Sequence, residues 1–304
     1  MRDDLTVKKP QDIMLIVNPF SGRGLSKSAL GIIVSKLCEG GRVVTVFFAG
    51  VNTPGQLAFM HARDFEMVVC AGGDGTLSSV VSGLLRSGAS IPVGYIPAGT
   101  ANDVATSLAL SKDPNAAALT ILEGTPRPLD IGRFGSEYFT YVAAFGVFTG
   151  VAYLTPLSAK RALGQFAYVL GGLADVATIR PMHTVIEYDD GTIEGDFIFG
   201  GVVNSTSVAG LVKFDHNDVD LADGVFEIIL VRQPVGLADF LDITTSIATQ
   251  SYDGDNIQLI HSSKATFILE DEVAWTVDGE NGGLHKRVEI ANCHKAVDII
   301  VASG

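Results

Sequence analysis

Apolar residues in the first part of the chain come as short solid runs separated by amphipathic stretches. The runs Ile13–Val17, Arg42–Phe48, Met67–Ala71 and Ile91–Ile96 have strand length. They are apolar without alternation, as strands covered on both faces are. Between them, Lys27–Cys38, Pro54–His61, Leu77–Ser87 and Ala101–Ala109 carry helical spacing. Strands alternating with helices predict an α/β domain with a parallel, Rossmann-like sheet. After Pro126 to Asp130 the texture changes to short runs with turn signals: Val185–Tyr188, Thr192–Asn204, Val225–Val231, Ala265–Leu269 and Ala274–Val277. Asp189, Asp190 and Gly191 form a hairpin signal. Helical stretches interrupt at Ser158–Ala177 and Leu237–Ala248. A mostly antiparallel second domain, a β-sandwich or barrel, is expected, with residues 1–134 in the first domain and 135–294 in the second.

One segment imitates a membrane span. Tyr138 to Ala159 holds no charged residue and is long enough to cross a bilayer. Gly146, Gly150, Pro156 and several Thr interrupt it, so a buried strand leading into a helix is the expected reading and no transmembrane segment is assigned.

Composition narrows the function class. Of 304 residues 47% are apolar, which excludes a disordered chain. A net charge of −13 argues against nucleic acid, whose binding rests on Lys and Arg at phosphates. It also disfavours whole-surface attraction to anionic lipid, leaving a local basic patch of Lys160, Arg161, Arg180 and His183 as the candidate contact. Cys38, Cys70 and Cys293 lack metal-ligand spacing, and no signal peptide precedes them, so a cytoplasmic location is expected.

Candidate chemistry lies where strands end. Gly72, Gly73 and Gly75 follow an apolar run and open a helix, a place where backbone N–H groups meet a phosphate. Asp74 inside that turn would repel a bare phosphate and implies an intervening Mg²⁺. Asn18, Ser21 and Gly22 follow the first strand, and Pro97, Gly99, Thr100, Asn102 and Asp103 follow the fourth. Three such turns imply one phosphate-binding crevice at the carboxyl ends of parallel strands. Asn18, Ser21, Thr76 and Thr100 offer amide and hydroxyl groups to a nucleotide, and each type also serves in caps and turns. There is no GxxxxGK[ST] run, and position 27 is lysine, so neither a Walker loop nor a dinucleotide fingerprint is present. Glu280, in a turn after Ala274–Val277, is the candidate base, a role that partial burial would assist.

Asn18-Pro-Phe-Ser-Gly22, Gly72-Gly-Asp-Gly-Thr76, Pro97-Ala-Gly-Thr-Ala-Asn-Asp103 and Asp278-Gly-Glu280 together resemble the diacylglycerol kinase catalytic-domain family, the bacterial lipid kinases related to sphingosine kinases. The resemblance spans essentially the whole chain. It implies an α/β domain of the NAD kinase/diacylglycerol kinase type, to which residues from about 295 to 304 return, and a lipid-binding β-rich domain. It implies Mg²⁺ and ATP in the interdomain crevice, with Asp103, Asp130 and Asp278 holding the ion and its waters. It also implies a structural Mg²⁺ on the side chains of Asp220 and Asp223 and the carbonyl of Val225. The family's Asn-Glu after GGDGTL is Ser78-Ser79 here, its following Asn is Ser82, and Ser205 to Gly210 holds one glycine. These departures bear on lipid preference.

The expected activity is ATP-dependent phosphorylation of a lipid hydroxyl, diacylglycerol first, with Glu280 as base and Asp74 and Asp278 beside it. The expected partner is a lipid at the membrane surface, with the protein peripheral to the membrane and a homodimer left open. Alternatives are a soluble-substrate kinase of the NAD kinase type and a non-catalytic nucleotide-responsive regulator.

Overall fold

The computed structural model describes residues 12–22, 25–39, 41–100, 102–146, 180–205, 207–208, 212–213, 220–252 and 254–303. They form two compact units, one within 1–99, 109–127 and 297–304, the other within 100–108 and 128–296.

The first unit starts with β1 (Asp12–Val17), α1 (Lys27–Leu37), β2 (Val43–Phe48), α2 (Pro54–His61), β3 (Met67–Gly72), α3 (Asp74–Ser87) and β4 (Val93–Pro97). The short α4 (Asp103–Ser107) belongs to the other unit, and α5 (Pro114–Glu123) returns to this one. The strands run parallel in the order β2-β1-β3-β4, with Val17 beside Phe48 and Ala71, and Gly72 beside Pro97. The end of the chain's last strand joins them in parallel, Ile299 beside Val93. Ile13, Leu15 and Val17 pack with Ile33 and Leu37 of α1 and Ala117, Ala118 and Ile121 of α5. The intervening Met14 and Ile16 are fully buried too, which is why these runs show no alternation. Helices α2 and α3 meet backbone to backbone. A Cβ on Gly83 would run into the Gly55 carbonyl, and the Gly55 N–H donates to Ser79 Oγ at 2.9 Å. The serine standing at the family's Glu position therefore caps the start of α2.

The second unit holds most of β5 (Thr125–Phe134), β6 (Glu137–Phe139), β7 (Val142–Gly146), β8 (Met182–Tyr188), β9 (Gly191–Val203), the two-residue strands β10 (Ser207–Val208) and β11 (Val212–Lys213), β12 (Phe226–Arg232), α6 (Leu237–Thr249), β13 (Ile257–Ser262), β14 (Lys264–Val277) and most of β15 (Glu280–Val301). Its pairings among β7, β8, β9, β12, β13, β14 and β15 are antiparallel. Strands β8 and β7 fill one lane end to end between β9 and β14. The core is aromatic: Trp275 lies 4.8 Å from Phe145, 5.2 Å from Phe267 and 5.3 Å from Phe134, ring centre to ring centre.

Several expectations are corrected. Ala265–Leu269 and Ala274–Val277 are one strand, β14, with an irregularity between Ile268 and Val273 that leaves Glu270, Asp271 and Glu272 exposed. The last strand, Glu280–Val301, has 22 residues, extending well upstream of the returning segment expected from about residue 295. Helix α5 was not anticipated, although Asp113 caps it at Ala116 N (2.8 Å) and Pro114 opens it. The helix expected at Ala101–Ala109 has five residues. Residues 138–146 of the charge-free stretch contribute β6 and β7, while the rest of it and the helix expected at Ser158–Ala177 lie outside the described residues. Among the described residues no helix is long and apolar enough to cross a membrane.

Candidate active site

Within the first unit, the turns after β1, β3 and β4 are fastened to one another. Asn18 N–H donates to the Ala71 carbonyl (3.1 Å) and its side-chain amide to Thr76 Oγ1 (3.0 Å). Asn18 Oδ1 accepts from Phe20 N–H (3.1 Å), and Gly73 N–H donates to Ser21 Oγ (2.7 Å). Ala98 N–H donates to the Gly72 carbonyl (2.7 Å). Glycine is required where these turns touch. Gly22 adopts φ +58° with the Ala98 carbonyl 2.9 Å from where its Cβ would be, and a Cβ on Gly73 would lie 3.0 Å from Ser21 Oγ and 3.1 Å from Gly99 Cα. Asn18, Ser21 and Thr76, expected to contact nucleotide, are thus the struts that hold the turns together.

Gly73 is the N-cap of α3 and Asp74 its first residue, followed by Gly75 and the buried Thr76. The first-turn N–H groups of a helix lack intrahelical acceptors, and the helix start favours negative charge. That stabilises the Asp74 carboxylate and suits the turn to an anion bridged by a cation. Cys70, on β3 four residues before Asp74, is fully buried. Burial, then the Asp74 charge, pushes its thiol well above the ordinary range, so it stays protonated as a small core residue.

Past Gly99 the chain enters the second unit. Thr100 is exposed, while Asn102 is buried in the left-handed conformation (φ 56°) just before Asp103 opens α4. Ser107 Oγ, 3.2 Å from Ser205 Oγ, ties α4 to the end of β9.

Asp130 and Asp278 belong to one buried network. Asp130 is wholly inaccessible; Oδ1 accepts from Lys295 N–H (2.7 Å) and faces His294 Nδ1 (3.1 Å). Oδ2 accepts from Gly224 N–H (2.7 Å) and the Asn292 amide (3.1 Å). Asp278 stands at φ 49° and Gly279 at φ 81° in a two-residue hairpin between Val277 and Glu280. Its carboxylate accepts the N–H groups of Thr140, Tyr141 and Val142 at 2.7–2.9 Å, and the Thr140 hydroxyl at 3.1 Å. Buried Asn204 joins the two acids, its amide donating to the Asp130 carbonyl (2.6 Å) and the Thr140 carbonyl (3.4 Å). Both carboxylates, expected to hold a metal and its waters, are here saturated with protein donors. Glu280 is exposed at the start of β15, so the partial burial anticipated for a base is not seen.

Among the described residues no three His, Cys, Asp or Glu side chains gather as a metal-binding group. Two members of the expected structural-Mg²⁺ loop, Asp220 and Asp223, each accept a nearby backbone N–H, from Ala222 (3.1 Å) and Val225 (3.0 Å). Residues 215–219 lie outside the described residues. The Val225 carbonyl accepts from Asn292 at 3.3 Å, and Asn292 Oδ1 beside it is buried without a partner. An all-oxygen donor set with an orphaned acceptor suits a hard divalent cation. Sequence reasoning missed Asn204, Asn292 and Glu227. Glu227 is buried on β12, and burial, then the charge of Asp223, pushes its carboxyl up to about 8. In the candidate basic patch, Lys160 and Arg161 lie outside the described residues, and His183 sits 3.0 Å from Asp196 and 3.2 Å from Glu194. The hydrogen bond to Asp196, chiefly, raises its pKa, and the two acids offset its charge as a lipid contact.

Residues 12–134, which carry the three interlocked glycine turns at the ends of parallel strands, match the family described as the diacylglycerol kinase catalytic domain. The chain belongs to that family. It is 30% identical over 291 residues to a diacylglycerol kinase of Bacillus subtilis strain 168, covering 94% of this chain and 95% of the relative. It is 32% identical over 272 residues to a diacylglycerol kinase of Staphylococcus carnosus strain TM300, covering 88% of each. A crystal structure of a diacylglycerol kinase from Bacillus anthracis strain Sterne has the same fold, with TM-score 0.76 and 21% identity over 96% of this chain and 98% of that one. The chain is thus a member of a family of lipid kinases, which are phosphotransferases.

Proposed function

We propose that this protein is an ATP-dependent lipid kinase that converts diacylglycerol to phosphatidic acid. The observation that supports it best is the fastening of the turns after β1, β3 and β4 into one rigid surface with Asp74 at a helix start. Phosphoryl transfer asks little covalent chemistry of a protein and much positioning. The α/β unit is read as Rossmann-like, with ATP phosphates on Gly72–Thr76 and on the Ser21–Gly22 and Thr100–Asn102 turns. The β-rich unit, read as a β-sandwich, takes the lipid.

In this reading a lipid hydroxyl oxygen attacks the γ-phosphorus, the bond from that phosphorus to the ADP oxygen breaks, and Glu280 accepts the hydroxyl proton. Asp74 and Asp103 would hold Mg²⁺, which supplies neutralisation of phosphate charge. Asp220, Asp223 and the Val225 carbonyl would hold a second, structural ion. Asp130 and Asp278 act at one remove, through the network that shapes the loop at 224–225 and the hairpin carrying Glu280.

The test is γ-labelled ATP and Mg²⁺ with diacylglycerol in mixed micelles, beside tubes of NAD and of no acceptor. Label in phosphatidic acid is expected. Label in the NAD tube alone, or nucleotide binding with no transfer anywhere, overturns the proposal.

A further inference from the structure

Two residues that follow β9, Asn204 and Ser205, reach several of the candidate site's elements, all within the second unit. Asn204 is buried, and its side-chain nitrogen donates to the carbonyls of Asp130 (2.6 Å) and Thr140 (3.4 Å). Its backbone N–H donates to the Tyr141 carbonyl at 2.9 Å. The Thr140 and Tyr141 carbonyls belong to the two peptide groups whose N–H ends lie on Tyr141 and Val142. Both of those N–H groups donate to Asp278 Oδ1 at 2.9 Å. In a trans peptide the C=O and N–H point opposite ways. The two peptide planes are therefore gripped from both sides, by Asn204 at the oxygen and by Asp278 at the hydrogen. Each bond polarises the peptide and strengthens the one across it.

Asp278 in turn sets the place of Glu280. It stands at φ 49°, a conformation that costs a non-glycine residue free energy unless its surroundings hold it. The donors on Thr140–Val142 hold it, and the Asp278 N–H returns to the Val142 carbonyl at 2.8 Å. Glu280 closes the same hairpin, opposite Val277. A shift of residues 140–142 thus carries the hairpin with it. Ser205 is buried beside Asn204, with its hydroxyl 3.2 Å from that of Ser107. The Ser107 hydroxyl donates to the Asp103 carbonyl at 3.1 Å, so Ser205 is the donor between the two serines. One dipeptide fastens the strand of Asp130, the segment that holds Asp278 and the helix that Asp103 opens.

We infer that Asn204 is a positioning residue for phosphoryl transfer. It fixes the 140–142 peptides that hold Asp278, and through them the hairpin that aims Glu280. Buried behind those peptides, it acts through Glu280 rather than on the lipid. The inference rests on the lipid-kinase reading, with Glu280 as its base.

The test compares Asn204→Ala with the wild type, full chain, in hydrogen exchange and in diacylglycerol phosphorylation. Amides of residues 140–142 and 277–281 should exchange faster in the variant, while those of β1 and β3 keep the wild-type rate. The kcat should fall roughly 10–10²-fold, the scale of a misplaced reacting group, with KM for ATP and for diacylglycerol little changed. In a Glu280→Gln background the same substitution should change kcat by no more than about twofold, because the group it positions is already gone. A merely structural role would lower turnover equally in both backgrounds. Asn204→Asp, nearly the same volume without the amide donor, carries the same expectations should Asn204→Ala not fold. Unchanged exchange at 277–281 overturns the inference, and that readout needs no phosphoryl transfer. An equal fall of kcat in the two backgrounds overturns it too. So does a raised KM for diacylglycerol with kcat intact, which would make Asn204 a lipid contact. A wild type that transfers nothing to diacylglycerol fails the kinase reading instead, and exchange at 277–281 then decides whether Asn204 holds the hairpin.

Discussion

At the residue scale, two buried carboxyls make opposite demands. Asp278 is stabilised as an anion by four donors, three of them backbone N–H groups of Thr140–Val142. Asp278→Ala leaves those donors buried and unsatisfied, and should cost about 2–5 kcal/mol, read as a lower denaturation midpoint. Glu227 is the reverse case, with its carboxyl raised by burial to about 8. In the unfolded chain an ordinary Glu ionises near pH ~4.3. The folded state therefore binds more protons than the unfolded state between these values, and this group's contribution to stability is full below that window and lost as pH rises through it. Glu227→Gln should flatten that decline, so its stability relative to wild type improves from pH 5 to pH 8. Equal slopes in urea titrations across that range would contradict the assignment.

At the element scale, the contact between α2 and α3 depends on glycine at Gly55 and Gly83. Gly83→Ala should cost about 1–3 kcal/mol by forcing the helices apart, despite alanine's better helix propensity. Most elements were legible because their signals are local. β1, α2 and β3 match the apolar runs and helical spacing within a residue or so, and the structure adds a cap and first-turn proline side by side at Thr53-Pro54. Helix α5 carried the same kind of signal in Asp113-Pro114 and was passed over. The first half of β15 was missed for a different reason. It pairs with β14 while much of it stays exposed, so only Val288 and Ile290 mark its buried face. Site positions divide the same way. Glycines and hydroxyls at strand ends are visible as turn chemistry. The Asn18–Thr76 strut spans 58 residues and the Asp278–Thr140 contact 138, so no local pattern reports them. Glu227 and Asn204 differ from surface residues only in burial, which tertiary packing decides.

At the scale of the whole molecule, the two units divide the candidate chemistry. The first carries the interlocked turns and Asp74; the second carries the Asp130–Asn204–Thr140–Asp278 network and the exposed Glu280. On the proposed function, Asp74 and Glu280 serve one phosphoryl transfer to a lipid hydroxyl. The most direct measurement is phosphatidic acid formation from diacylglycerol by the wild type, Asp74→Asn and Glu280→Gln, with ADP affinity and denaturation midpoints taken on the same preparations. Both variants are expected to fold, Glu280→Gln to keep ADP affinity, and both to lose about 10²–10⁴-fold in turnover. A folded Glu280→Gln protein phosphorylating diacylglycerol at the wild-type rate would contradict that function.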